Sequence, residues 1–276
     1  MITSTANPRV KAALALRKRR ERDRTGRFVI EGRRELARAL AGGVELDEVL
    51  VCPDLLGGEP GAGAGGRTDG GVLAAARAAG AVVTDVAESV FGRLSYREGP
   101  DGVLGIARAF ATGLDRIELG ADPLVLVVAE VEKPGNLGTM LRSASAAGAA
   151  AVVVADPVTD VFNPNVVRSS QGALFGVPVA VGDSAEVLAW LRRHRLPVYA
   201  AGPGGTQPYW RLPLAGPSAL VVGSEHGGLP ADWLDAADEQ VVIPMPGSGG
   251  VDSLNAAAAA AVLLFEAVRQ RAAPDG

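Results

Sequence analysis

The residues best suited to chemistry lie in Leu220-Val-Val-Gly-Ser-Glu-His-Gly-Gly-Leu-Pro230, in Val241-Val-Ile-Pro-Met245 and in Val251-Asp-Ser-Leu-Asn-Ala256. Two apolar runs end in glycine or proline turns, and a small polar cluster opens an alanine-rich helix. Strand ends of this kind are where an α/β sheet binds a ligand. Glu225 brings a carboxylate to the first turn, although capping that turn through Gly227-Gly228 would explain it equally. Ser253 and Asn255 sit two apart on a strand-like or turn segment and can be aimed at one ligand; Asn255 could also simply cap the following helix.

A second cluster is Glu130-Val-Glu-Lys-Pro-Gly-Asn-Leu-Gly-Thr-Met-Leu-Arg142. Gly135 and Gly138 permit close backbone approach at a helix start, where free N–H groups can meet an anion or a polar ligand. Asn136 can cap that helix. Arg142 is harder to explain structurally. A cation in the first half of a helix gains nothing from the dipole, and among Leu137, Met140, Leu141 and Ala144 it needs a partner.

Other chemistries lack their residues. Cys52 is the single cysteine, and the two histidines, His194 and His226, are far apart and show no metal-ligand spacing, so a zinc site and a Ser-His-Asp arrangement are poorly supported. No Gly-Lys-Ser/Thr follows a glycine loop and no G-x-G-x-x-G opens a helix after a strand, which weakens standard nucleotide sites. No metal is expected.

The elements that must position these residues follow from periodicity. From Pro123 onward the apolar runs are continuous: Leu124 to Ala129, Ala151 to Ala155, Val198 to Ala201, Ala219 to Val222 and Val241 to Ile243. Continuous runs predict strands buried on both faces, hence a parallel sheet between helices. The helices are expected at Leu137 to Ala147, Pro164 to Gly172, Ala185 to Arg193 and Asn255 to Arg271. The last is small on all sides early, with a larger apolar face at Val262, Leu263, Phe265 and Val268. Ahead of this lies a smaller α/β unit. It has a basic helix to about Arg24, strands at Phe28 to Glu31, Glu48 to Val51, Val82 to Thr84 and Val103 to Ala107, helices at Arg33 to Ala41, Val72 to Ala79 and Ala87 to Leu94, and a glycine-rich loop from Gly57 to Gly71. The expected division is residues 1–110, a polar connection at 111–122, and residues 123–276.

With 276 residues and 48% hydrophobic content the chain can bury a real core. No run approaches about 18 uninterrupted apolar residues and the N-terminus is polar and basic, so a soluble, cytoplasmic protein without membrane contact is expected. The net charge of −4 conceals an asymmetry. Before Leu40, Arg9, Lys11, Arg17, Lys18, Arg19, Arg20, Arg22, Arg24, Arg27, Arg33, Arg34 and Arg38 face only Glu21, Asp23, Glu31 and Glu35. That segment can carry phosphate affinity, unless its arginines are simply a solvated helix face.

Taken together, Asn136 with Arg142, Asn163-Pro-Asn-Val-Val-Arg168-Ser-Ser-Gln-Gly-Ala-Leu-Phe175, Gly223-Ser-Glu-His-Gly-Gly228 and Ile243-Pro-Met with Ser253-Leu-Asn255 resemble the SpoU-type (TrmH-type) RNA ribose methyltransferases of the SPOUT superfamily. Asn7-Pro-Arg-Val-Lys11 with Phe28-Val-Ile-Glu-Gly32 resembles the small ribosomal-protein-like RNA-binding domain that precedes the catalytic domain in rRNA-modifying members. The resemblance implies a C-terminal SPOUT domain with a trefoil knot, a homodimer, and S-adenosylmethionine as methyl donor to structured RNA, ribosomal RNA foremost. It implies donor contacts at Gly223, Ile243 and Leu254 with Gly202 adjoining. Arg142 would be the catalytic residue, Asn136 its positioner, and Glu225, Ser253 and Asn255 the polar members of the site. Arg168 would reach RNA or a partner's site, with Arg9 and Lys11 on the RNA side. His226, where many relatives have a small residue or lysine, and the long run Gly247 to Asp252 depart from the pattern. A non-catalytic RNA-binding protein of the same fold, a methyltransferase acting on transfer RNA, and a small-molecule transferase are the rival readings.

Overall fold

The computed structural model describes residues 1–56, 69–224, 227–247 and 253–272. These form two compact units, Met1–Phe110 with Val161–Gly176, and Ala111–Asp160 with Val177–Gly276.

The first unit opens with α1 (Pro8–Ala15), which starts where Asn7 accepts from Arg9 N and Pro8 takes the first helical position. The single basic helix expected here is two. The chain breaks at Leu16 to Lys18 before α2 (Arg19–Thr25) because Arg22 turns inward, buried, and donates to the carbonyls of Leu16 (2.8 Å) and Arg17 (3.0 Å), ending α1. There follow β1 (Arg27–Glu31), α3 (Arg33–Ala41), β2 (Leu46–Val51), α4 (Pro53–Leu56), α5 (Asp69–Ala78), β3 (Val82–Asp85), α6 (Glu88–Leu94) and β4 (Val103–Arg108). Most of the glycine-rich loop expected at Gly57 to Gly71 lies outside the described residues. Among the described residues the sheet has four strands in the order β1-β4-β2-β3, antiparallel except for β2 and β3. Val10 and Ala13 of α1, with Leu16 just after it, meet Val90, Phe91 and Leu94 of α6 over Val29, Leu50 and Leu104.

The second unit carries β5 (Leu124–Ala129), α7 (Pro134–Ala146) and β6 (Ala151–Ala155); the chain then leaves it for α8 (Pro164–Ser169). It resumes with β7 (Val179–Gly182), α9 (Ser184–Arg193), β8 (Val198–Ala201), β9 (Gln207–Pro208), β10 (Ser218–Val222), α10 (Ala231–Ala236), β11 (Glu239–Val242) and α11 (Ala256–Arg271). Among the described residues the strands form one seven-stranded sheet, β7-β6-β5-β10-β8-β11-β9, with every pair parallel. Every residue of β5, β6 and β10 is buried, which is why their sequences do not alternate. The edge strands β7 and β9 escaped the sequence reading because they are short and only half covered. A capping box, Asp183 with Glu186, starts α9. The polar connection is part of this unit rather than a tether: Ile117 is buried and Val181 N donates to Thr112 O at 2.7 Å.

Residues 161–176 belong with the first unit, on which aromatic rings and arginines hold them. Phe28 contacts Phe162 (4.8 Å between ring centroids) and Phe175 (6.3 Å), and Phe110 meets Phe162 edge-on at 4.9 Å. Arg38 donates to Gln171 O, and Arg168 to Tyr96 O. Sequence order alone assigns this segment to the later half of the chain.

Candidate active site

In the parallel sheet, β5 lies between β6, the next strand in sequence, and β10, so the connections leaving β5 and β10 diverge to opposite sides. The crevice outside the carboxyl ends at such a switch point is where α/β sheets place ligands. Glu130 to Lys133, Gly202 to Thr206, Gly223 and Ser224, and Ile243 to Gly247 leave the carboxyl ends of β5, β8, β10 and β11. Glu130 turns out of β5 with φ +51.

Two glycines shape this edge by close backbone approach. A Cβ on Gly223 would lie 2.1 Å from Gly228 O, because Ser224 and Gly228 pair through two 3.1 Å backbone bonds and fold the turn back over it. A Cβ on Gly205 would lie 2.3 Å from Val241 C, so only glycine lets the chain between β8 and β9 cross β11. Sequence reasoning singled out Gly202 and missed Gly205; the doublet Gly204-Gly205 after a strand was the available signal. Gly202 has open space where a side chain would stand, and Gly135 is also open.

Asn136 and Asn255, 119 positions apart, are brought together: Asn255 Nδ2 donates to Asn136 Oδ1 at 3.2 Å. Asn255 is also the cap of α11, its Oδ1 accepting from Ala257 N (3.0 Å) and Ala258 N (3.3 Å). The two readings of Asn255 coexist because a side-chain amide has separate donor and acceptor ends. Asn136 does not cap its helix. Lys133 holds that position and Pro134 starts α7, so Asn136 lies within the first turn, half-buried.

Arg142 departs from expectation. Leu137, Met140, Leu141 and Ala144 form the buried face of α7, while Arg142 is exposed. Among the described residues no carboxylate pairs with it, and it is hydrogen-bonded to neither Asn136 nor Asn255. It stands about 9 Å along the helix from Asn136, at 1.5 Å per residue. Ser253 is exposed, two residues before the cap; Leu254 is 40% exposed and Ile243 half-buried, leaving apolar surface open at this edge. Glu225 and His226, and the run from Ser248 to Asp252, lie outside the described residues. Among the described residues no group of histidine, cysteine and carboxylate side chains is placed to hold a metal, and no helix is long and apolar enough to cross a membrane.

In the first unit much of the expected basic surface is spent internally. Arg9 pairs with Glu48 at 3.3 Å and donates to Thr84 Oγ1 at 3.0 Å. Arg17 donates to the carbonyls of Arg93, Leu94 and Ser95 and lies over the Tyr96 ring. Arg24 pairs with Glu21, and Arg27 and Arg108 share Asp47. Burial would push the Asp47 carboxyl up, but hydrogen bonds from Arg27 and Arg108 outweigh it and hold the group below the usual carboxylate range. Lys11, Lys18 and Arg20 remain exposed and unpaired among the described residues. Arg168, also exposed, gives one N–H to Tyr96 O at 3.1 Å.

Residues 123–265 match the SpoU rRNA Methylase family, and residues 7–105 match the MRM3-like substrate binding domain. The chain is 30% identical over 264 residues to the 23S rRNA (guanosine(2553)-2′-O)-methyltransferase RlmP of Bacillus subtilis (strain 168), an alignment covering 96% of this chain and 97% of that one. It is 39% identical over 180 residues to the 23S rRNA (uridine(2479)-2′-O)-methyltransferase of Streptomyces viridochromogenes, where it spans 63% of this chain and 62% of that protein. A crystal structure of an AdoMet-bound rRNA methyltransferase from Sinorhizobium meliloti superposes with a TM-score of 0.85 at 31% identity, covering 97% of each chain.

Proposed function

The chain belongs to the SpoU rRNA methylase family, and from that premise we propose that it transfers a methyl group from S-adenosylmethionine to a ribose 2′-hydroxyl of ribosomal RNA. That substrate puts it in the cytoplasm. The observation that carries the reading is the Asn136–Asn255 contact, which joins the starts of α7 and α11 beside the strand ends of the switch point.

The edge suits an adenosine-bearing sulfonium. Open space at Gly202 and the backbone of the Gly223 turn offer polar backbone groups, and Ile243 and Leu254 offer uncovered apolar faces. When bound there, S-adenosylmethionine supplies the electrophilic methyl group. The protein's task is then alignment, since holding oxygen and carbon about 3–3.5 Å apart and in line accounts for much of such a rate. Arg142 serves as a clamp on an RNA phosphate and a stabiliser of the developing alkoxide, its planar fork matching a phosphate, while the hydroxyl proton passes to Glu225, water or a phosphate oxygen, or to Arg142 itself. Its exposure on α7 suits a group that meets a macromolecule. Asn136 and Asn255 position the adjoining backbone, and Glu225 and Ser253 are the further polar members. Lys11 and Arg168 contact RNA, with Arg9 in support through its remaining donors.

Two further features belong to this reading. The chain is threaded in unit two as a trefoil knot; α11 lying against α7, β5 and β10 suits such a path. The active form is a homodimer, for which Ala258, Val262 and Phe265 on one side of α11, with the exposed Leu254 ahead of the helix, supply an apolar face. Calorimetry with S-adenosylmethionine, followed by mapping of 2′-O-methyl positions in 23S rRNA with and without the protein, tests the proposal. Absence of donor heat together with an unchanged methylation map would refute it.

A further inference from the structure

Of the three tryptophans, Trp190 and Trp233 are buried at 2% and 0% exposure, whereas Trp210 is 48% exposed. Trp210 follows Pro208 and Tyr209 in a single 3-10 turn, and its ring meets the Tyr209 ring edge-on at 5.1 Å and 76°. The turn is braced from behind by α11. Gln270 Nε2 donates to Leu212 O at 2.9 Å, Leu214 N donates to Gln270 Oε1 at 2.8 Å, and Arg271 donates to the carbonyls of Leu214 (3.0 Å) and Gly216 (2.7 Å). Cations flank the rings. Arg211 is exposed and unpaired among the described residues, and Arg269, its side chain 65% exposed, stands near Tyr209. The carboxylate of this cluster, Glu266, is engaged by Arg269 and Gln270.

We infer that Tyr209 and Trp210, with Arg211 and Arg269, form a stacking platform for an unpaired nucleotide of the RNA. A flat π face on a braced turn loses little freedom on binding, and flanking guanidiniums suit the phosphates on either side of a splayed base. An apolar protein partner would have to strip water from Arg211, which has no carboxylate among the described residues, and from the exposed guanidinium of the Arg269–Glu266 pair. The position fits the RNA-methyltransferase reading, on which the inference rests: Pro208 pairs in register with Val242, so the turn leaves the sheet at the edge that carries Ile243.

The test uses the full chain with a single-stranded oligouridylate and a blunt-ended, fully paired RNA duplex as probes. Because the other two tryptophans are buried, acrylamide quenching of tryptophan emission reports on Trp210, with Trp210→Phe as the control. Expected are strong quenching in the free protein, protection by the oligouridylate but not by the duplex, and affinity for the oligouridylate lowered about five- to tenfold in Trp210→Ala. Trp210→Phe should keep most of that affinity, and the salt dependence should be unchanged. Quenching already blocked in the free protein, as a second copy covering this face would cause, overturns the inference, and so does unaltered affinity in Trp210→Ala. Methyl transfer by the unsubstituted chain is measured separately. Its absence would remove the enzymatic reading while leaving the stacking result to stand or fall by itself.

Discussion

At the residue scale the candidate site depends on two side chains whose roles can be separated by substitution. Arg142 has no internal duty among the described residues, so replacing it should leave folding intact. Arg142→Lys keeps the charge but loses the planar fork, and turnover should fall on the order of a hundredfold with donor affinity unchanged; near-normal single-turnover rates in that variant would refute the clamp. Asn255 performs two tasks through two atoms. Asn255→Ala removes both cap bonds and should cost about 1 kcal/mol in urea unfolding. Asn255→Asp keeps an acceptor for the cap but has no N–H for Asn136, so it should retain stability and lose turnover. Full turnover in Asn255→Asp would reduce the residue to a cap.

At the element scale the turns after β8 and β10 behave oppositely, although both begin with glycine. Gly223→Ala would drive a methyl into the backbone of Gly228, and since a backbone wall cannot rotate away, a cost of about 1–3 kcal/mol and loss of S-adenosylmethionine binding are expected. Gly202→Ala meets nothing and should alter unfolding by less than about 0.5 kcal/mol. Its effect should appear in donor affinity alone, so thermal unfolding beside calorimetry distinguishes the two glycines. The helices α7 and α11 show how far pattern reading reaches. The buried face of α7 was legible at Leu137, Met140, Leu141 and Ala144, but the large apolar residues of α11 divide. Leu263 joins the core while Phe265 is left 49% exposed. A helix that is apolar nearly all round carries no signal of which side is covered.

At the scale of the whole molecule, two carboxylates show charge serving the fold. Asp47, held by Arg27 and Arg108, and Glu266, held first by Arg269 against the opposing effect of burial and then by Gln270, both lie below the ordinary carboxylate range. A carboxylate depressed on folding adds stability that is present above its unfolded pKa, near 4, and lost as pH falls through the lower folded value. The urea midpoint should therefore be level above about pH 5 and decline below pH 4. Asp47→Asn should flatten part of that decline only modestly, since the arginines are largely solvent-exposed and screened. RNA affinity should fall with added salt, and the slope should drop by about one for each phosphate left without its cation in Lys11→Ala or Arg168→Ala. Arg17→Ala, whose guanidinium is spent on carbonyls and the Tyr96 ring, should lower stability and leave the slope unchanged. A slope that changes as much for Arg17→Ala as for Lys11→Ala would contradict this division.

By itself the sequence determined the parallel sheet, because a strand buried on both faces must be apolar at every position, as β5, β6 and β10 are. It also marked the residues of the candidate site, since glycines, asparagines and an arginine at strand ends have few structural substitutes. Only the tertiary structure decided that Asn136 meets Asn255, that residues 161–176 pack with the first unit, and that Arg9 and Arg17 serve the fold. Those are contacts between distant parts of the chain, fixed by how packed elements meet in space, and no local period or spacing encodes them.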